Sequence, residues 1–269
     1  MTAMTSERPI AAPAFGRFTG LPTLFRKDVR EWLRGRRAAV AFTISVSVMV
    51  LTAANAWITA RIIEAMPDES EGVVPLSQAP TDNLLVAVSA QLFVLVAIFA
   101  VAGLVARERD SGTLAWVASK PVSRTSIWLS KWLSASVVLV SAAVLFPIAV
   151  TTVAVTAMYG APDLAAIAWV TIGAALVAAF YAVVGLSAGT LVPGQPAVAA
   201  IGFAVFALGP IVAAVAPSAV TPLLPSSMLA WAVGGATGAD VGWVTPVAII
   251  AWTMGLAALA IIRIRRVEL

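Results

Sequence analysis

Apolar residues in this chain fall into six unbroken runs separated by polar intervals, at 38–60, 84–106, 132–158, 164–192, 197–216 and 243–262. None of the six contains an Asp, Glu, Lys or Arg. About 20 helical residues cross a hydrocarbon layer of roughly 30 Å, so each run is long enough to span. With no water in that layer, backbone amides must bond within their own segment, which predicts helices. The expected fold class is therefore all-α, a polytopic membrane protein with six transmembrane helices. The third and fourth runs exceed what a span requires, so their ends are expected to project or tilt, with Pro147 as a candidate kink.

The polar intervals carry the rest of the pattern. Residues 1–20 mix Pro, Gly, Ala and Ser without periodicity or a signal-peptide core, and read as a loose cytoplasmic tail preceding a single domain over 21–269. Over 21–37, Leu21, Phe25, Val29, Trp32 and Leu33 recur at helical spacing. Arg26, Lys27, Arg30, Arg34, Arg36 and Arg37 supply positive charge to the same segment. That pattern predicts a helix in the membrane interface, its apolar face down and its basic groups among lipid phosphates. Asp28 falls inside the apolar arc. Either the helix is rotated enough to wet it, or Asp28 forms an ion pair with a basic residue of the interval at 107–131.

That interval, RERDSGTLAWVASKPVSRTSIWLSK, is the one around which the reading turns. Arg107, Glu108, Arg109 and Asp110 end the second run with alternating charge. Ser111 and Gly112 permit a sharp turn, and Asp110 or Ser111 can cap a short helix at 113–118. Pro121 stops or redirects it, and Ser123 is suited to cap the helix that carries Arg124, Lys131 and the third span. The expected result is a small amphipathic helix parallel to the membrane, offering Leu114, Trp116 and Val117 to a protein groove.

On the other side, 61–83 reads as an acidic, solvated loop. Residues 217–242 combine Pro217, Pro222 and Pro225 with an apolar piece at 226–233 that is too short to span, and Ser226 is placed to cap it. A short interfacial or re-entrant helix is expected there, either covering the helix ends or gating an exit path. Gly185 and Gly189 form a GxxxG, with Gly173 earlier on the same run, a spacing that serves close helix packing within one subunit or between two. Asn55, Ser89, Gln91, Ser141, Thr151 and Thr152 either line a pathway or bond across helices.

Charge orients the bundle. The chain has 17 Lys and Arg, of which 8 lie before the first span, 5 in the central interval and 3 after the last, leaving only Arg61 on the opposite side. Both termini and the central interval are therefore expected to be cytoplasmic. Trp57, Trp169 and Trp243 near the outer boundary and Trp128 and Trp132 near the inner one suit aromatic belts. The composition, 61% hydrophobic with no Cys and no His, excludes a disulfide framework and thiolate chemistry and removes the commonest metal ligand and general base. The high isoelectric point reflects a membrane surface rather than nucleic acid as partner.

Glu108-x-x-x-Gly112-Thr113-Leu114, then Ser119-Lys120-Pro121-Val122-Ser123-Arg124 and Lys131, closely resembles a segment of ABC-2 type permeases, the six-helix membrane subunits of ATP-binding cassette transporters. Phe25, Lys27 and Asp28, with Trp32 and Arg36 on the same helix, resemble the elbow helix of that family. The DSGTL and PVSR wording is also similar to permeases that accompany maturation of the copper enzyme nitrous oxide reductase and to those of multidrug export groups. The chain departs from the pattern at Ala115-Trp116-Val117, where many relatives carry an acidic residue and leucines. The resemblance implies a half-transporter in a prokaryotic plasma membrane. It would comprise two permease chains, identical or related, with two cytosolic ATPase subunits docked on coupling helices at 113–118.

The chain has no G-x-x-x-x-G-K-[ST], and none of its three lysines follows a glycine. It is not expected to be an enzyme or to hold a cofactor; ATP and Mg belong to the partner ATPase. A secondary transporter usually carries an ionisable group within its spans, and an intramembrane enzyme needs a nucleophile with a base, a metal set or paired carboxylates. These runs supply neither. A non-transporting scaffold or sensor of the same fold remains the other alternative. Uncharged spans rich in Ala, Val and Leu suit lipidic or drug-like cargo, and the lack of Cys and His argues against copper passage.

Overall fold

The structure is a computed structural model that describes residues 18–66, 76–110 and 122–266, with 105–110 and 265–266 by backbone alone. Regular structure among the described residues is helical throughout. Helix α1 (Leu21–Arg34) is followed after Gly35 by α2 (Arg36–Ala65). Then come α3 (Pro80–Ser89) and α4 (Leu92–Asp110), which together make the second span. Next are α5 (Arg124–Tyr159), α6 (Leu164–Leu191), α7 (Gln195–Val215), the short α8 (Met228–Ala236) and α9 (Val244–Arg266). Six helical stretches are long and apolar enough to cross a membrane. One end of the bundle gathers α1 and the basic residues, and the opposite end carries Arg61, Asp82, Asp163 and Asp240.

Helix α6 is the axis. Every residue from Phe180 to Gly189 is buried, so this stretch has no face left for lipid. It contacts α4, α8 and α9 most extensively, and small residues set the distances. A Cβ on Gly173 would lie 2.4 Å from the Cβ of Ala232 in α8, and one on Gly185 would lie 3.1 Å from Cγ1 of Val101 in α4. Gly189 is buried on the same helix. Gly202 of α7 approaches Ile98 of α4 in the same way, at 2.7 Å. Without a hydrophobic force between helices in lipid, such close backbone approach is what dispersion and weak polar contacts require.

Two spans depart from regular α-helix, the second at a place the sequence did not mark and the third beside Pro147, the candidate kink. The second run is broken at Ala90 and Gln91, whose φ of 53° places a non-glycine residue in the left-handed region. The broken turn is closed by Gln91 N–H donating to Val88 O and Val94 N–H donating to Gln91 O. The helix that carries the third run starts at Arg124, after the expected Ser123 cap, and at 36 residues is about 54 Å long, so its first turns project beyond a roughly 30 Å core. Near Pro147 it widens into a π turn at Val140–Leu145, with Phe146 N–H reaching back to Ser141 O. Proline lacks an N–H and crowds the preceding turn, and the wide turn absorbs both defects.

The 217–242 segment is re-entrant. From the end of α7 the chain folds back through 3₁₀ turns at Thr221–Leu223 and Pro225–Ser227, then leaves as α8, antiparallel to α6. Gly209 lies six residues inside the end of α7, so contact with it puts Ser226 about 9 Å below that end. Non-helical backbone at such depth must have its polar groups satisfied within protein. Trp252 Nε1 donates to Leu223 O, Ser226 Oγ to Gly209 O and Ser227 Oγ to Leu224 O. Ser226 is thus not the helix cap: α8 begins at Met228, and the Ser226 hydroxyl is spent on α7. Helix α8 buries one face, Met228, Leu229, Trp231 and Ala232, and leaves Ala230 exposed.

The aromatic belt is only partly where composition suggested. Trp57 and Trp243 are exposed, but Trp128 is fully buried, and Trp169 stacks edge-on against Trp231 at 4.8 Å. At the acidic end Tyr159 Oη accepts from Trp57 N–H and donates to Ala53 O, each at 2.7 Å. These are the two backbone groups that an α-helix pairs with each other, so the foot of α5 is bolted to α2 at that turn. Arg61 pairs with Glu64 at 2.8 Å, on the same exposed face.

Candidate functional site

The central interval and the N-terminal helix meet at the basic end. Pro22 in the first turn favours the start of α1, and Gly20, at φ 82°, provides the left-handed residue on which the chain turns into it. A Cβ on Gly20 would sit 2.5 Å from Cγ1 of Val122, so the turn and the returning limb of the interval pack backbone to side chain. Ser123 N–H donates to Thr19 O at 3.3 Å across the same crossing. Ser123 then caps α5, its Oγ accepting from Ser126 N–H at 3.0 Å.

Below this crossing α1 lies along the first turns of α5. Leu24 packs with Val122 and Ile127, while Trp32, 4% exposed, shares a core cluster with Trp128 and, at its edge, Val29, Leu129 and Trp132. The rings of Trp128 and Trp132 stack at 6.0 Å. The α5 residues that receive α1 are small and polar: Ser126, Ser130 and Ser134, four apart and all buried. Leu33, by contrast, is exposed. The apolar face of α1 is therefore largely claimed by α5 instead of facing lipid along its length.

Asp28 sits in the middle of that contact, 6% exposed. Its Oδ2 accepts from Ser130 Oγ at 2.8 Å, and Ser130 also donates to Ile127 O. Lys27 Nζ lies 3.9 Å from Oδ1 and 4.0 Å from Glu31 Oε2. The rotated, wetted helix is thereby corrected: burial against α5 turns Asp28 inward, where the carboxylate is matched by a hydroxyl from the central interval. A buried carboxylate without such a partner would cost several kcal/mol, roughly, which is what the Ser130 hydroxyl offsets. Lys131 and Thr125 are buried beside it.

The other expected residues divide as follows. Phe25 is half-buried, Lys27 and Arg36 are exposed, and Arg124 opens α5 in a half-buried position. Glu108 lies in the last turn of α4, known by its backbone. Gly112, Thr113, Leu114, Trp116, Val117 and Pro121, and with them the short helix expected at 113–118, fall outside the described residues. Within the spans, the Ser141 hydroxyl bonds back to Val137 O, whereas Ser45, Ser136, Thr151 and Thr152 have buried hydroxyls with no protein partner. Among the described residues no three His, Cys, Asp or Glu are grouped so as to hold a metal ion.

What the arrangement offers is mechanical. The two ends of the 107–131 interval run into α4 and α5, and its returning limb is fastened to α1 by a backbone hydrogen bond, a glycine contact and a buried carboxylate. A family model described as ABC-2 family transporter protein matches residues 23–269, from the first turn of α1 to the last residue. No curated protein matches the chain.

Proposed function

This chain belongs to the ABC-2 family of transporter proteins, and from that premise we propose that it is the permease of an exporter driven by ATP hydrolysis in a separate cytosolic subunit. Two permease chains, identical or related, would assemble with two ATPase subunits in a prokaryotic plasma membrane, with both termini cytoplasmic. ATP and Mg belong to the partner, since no Walker-type phosphate loop is present in this sequence. The segment 113–118 is the coupling helix, with Leu114, Trp116 and Val117 offered to the ATPase and Glu108, Gly112, Thr113, Pro121 and Arg124 shaping its two ends.

The observation that carries this reading is the fastening of α1 to the returning limb of the interval through Asp28, Ser130, Thr19 and Ser123. A force applied at 113–118 reaches α5 and α1 as one body. Since α5 continues from Arg124 to Tyr159 through the π turn at Val140–Leu145 and is bolted to α2 at its far end, the same body extends across the membrane. Rigid-body movement of such a unit against α6 is the kind of two-state repacking that alternating access needs.

The test is ATP hydrolysis by the purified permease with its ATPase. Glu108→Ala and Gly112→Val chains are expected to insert normally but to lose stimulation of the ATPase about ten-fold, equivalent to about 1.4 kcal/mol of coupling. Unchanged stimulation in both variants, or hydrolysis by the permease alone, would contradict the proposal.

A further inference from the structure

A groove of about 500 Å³ lies between α2 and α4, and it belongs neither to the α1–α5 contact nor to the re-entrant segment. Its mouth at the basic end is formed by Arg36 and Arg37, with Gln195 at the start of α7 close by. From there it runs down Val40, Ile44 and Val48 on α2, facing Phe99 and Leu92 on α4. No acidic residue is among those that line it. Val40, Ile44, Leu92 and Phe99 each leave at least 40% of their surface open, so the groove is an apolar channel along the side of the bundle.

Its length is informative. Arg36 to Val48 is 12 residues of helix, about 18 Å. One leaflet occupies about 15 Å of a roughly 30 Å core. The floor is Leu92, the first helical residue after the break at Gln91. The groove therefore starts at a charged interface and stops near mid-membrane, the span of one acyl chain rather than of a membrane-crossing helix.

We propose that this groove holds an anionic glycerophospholipid of the leaflet at the basic end, its phosphate at the Arg36 and Arg37 guanidinium groups and one acyl chain laid between α2 and α4. A guanidinium presents a planar fork of donors that matches phosphate, and basic pockets between transmembrane helices select anionic head groups for that reason. A zwitterionic lipid brings a second cation beside two guanidinium groups, and none of the described residues that line the groove is acidic. A second copy of this chain fits less well: contact about a two-fold axis would bring two arginine-rich mouths together. The site is separate from ATP coupling and needs no ATPase to be observed.

The experiment is native mass spectrometry of the full chain in mild detergent, offered equal amounts of palmitoyl-oleoyl phosphatidylglycerol and phosphatidylcholine. The unmodified chain is expected to retain phosphatidylglycerol about ten-fold in preference. Arg36→Gln with Arg37→Gln removes that preference, the paired Lys substitutions keep most of it, and Ile44→Trp, which fills the channel, lowers retention of both lipids. Equal retention by the unmodified chain overturns the proposal, as does an undiminished preference in the double Gln variant or undiminished retention in Ile44→Trp. So does efficient disulfide formation between two copies carrying Val40→Cys in native membranes, which would show the groove covered by protein.

Discussion

Asp28 shows how a single residue converts an amphipathic helix into a docked one. Removing Ser130 Oγ leaves a carboxylate at 6% exposure with one fewer donor. Ser130→Ala is expected to destabilise by about 1.5–3 kcal/mol, the range for buried hydrogen bonds to charged groups. Asp28→Asn, which keeps an acceptor oxygen, costs less. Lys27→Ala changes little, because a pair at 3.9 Å on a half-exposed lysine is weakened by solvent. Thermal unfolding in detergent measures the order Ser130→Ala worse than Asp28→Asn worse than Lys27→Ala; equal effects would mean that α1 is not held through this carboxylate. In the sequence, Asp28 was visible as an anomaly in the apolar arc. Its partner was not, because a serine among seven residues of mixed polarity carries no mark of which neighbour it faces.

At the scale of elements, glycine contacts separate what is packed from what is open. Gly173 admits α8 so closely that a side chain there displaces Ala232, whereas a Cβ on Gly255 of α9 meets nothing within 4 Å. Gly173→Val is expected to cost about 1–3 kcal/mol and to raise protease cleavage within 217–242, since overpacking forces the re-entrant helix away. Gly255→Ala should be neutral or slightly stabilising through helix propensity. Limited proteolysis with thermal unfolding tests both, and a Gly173→Val chain as protected as the unmodified one would count against the re-entrant packing.

The spans were legible because six long apolar runs without charge have few other stable solutions in lipid. The prolines at 217, 222 and 225 likewise announced a segment that could not cross. The break at Gln91 was illegible, since Ser89, Ala90 and Gln91 contain neither Pro nor Gly, the residues that ordinarily mark a break in a helix. The start of α5 was legible at its cap, since Ser123 was expected to cap the helix that carries Arg124 and Lys131, and it does so.

For the whole molecule, the uneven distribution of Lys and Arg predicts which end is cytosolic, and the chain contains no cysteine to obscure a test of it. A single cysteine at Ser119 is expected to react with an impermeant maleimide only when the reagent is admitted to the cytosolic face of vesicles, and one at Trp243 only from the opposite face. Reversed labelling would invert the topology and detach the coupling role from 107–131. The family implies an ATPase partner, and the buried clamp between α1 and α5 fastens the returning limb of the 107–131 interval to the bundle. Neither alone says that force arrives at 113–118. Site-specific photo-crosslinking from position 116 in the assembled transporter tests that most directly: the account predicts a crosslink to the ATPase subunit, strongest at 116 and absent from a control at 243. A probe at 116 that captures only lipid or water, while the assembled complex still hydrolyses ATP at full rate, would contradict it.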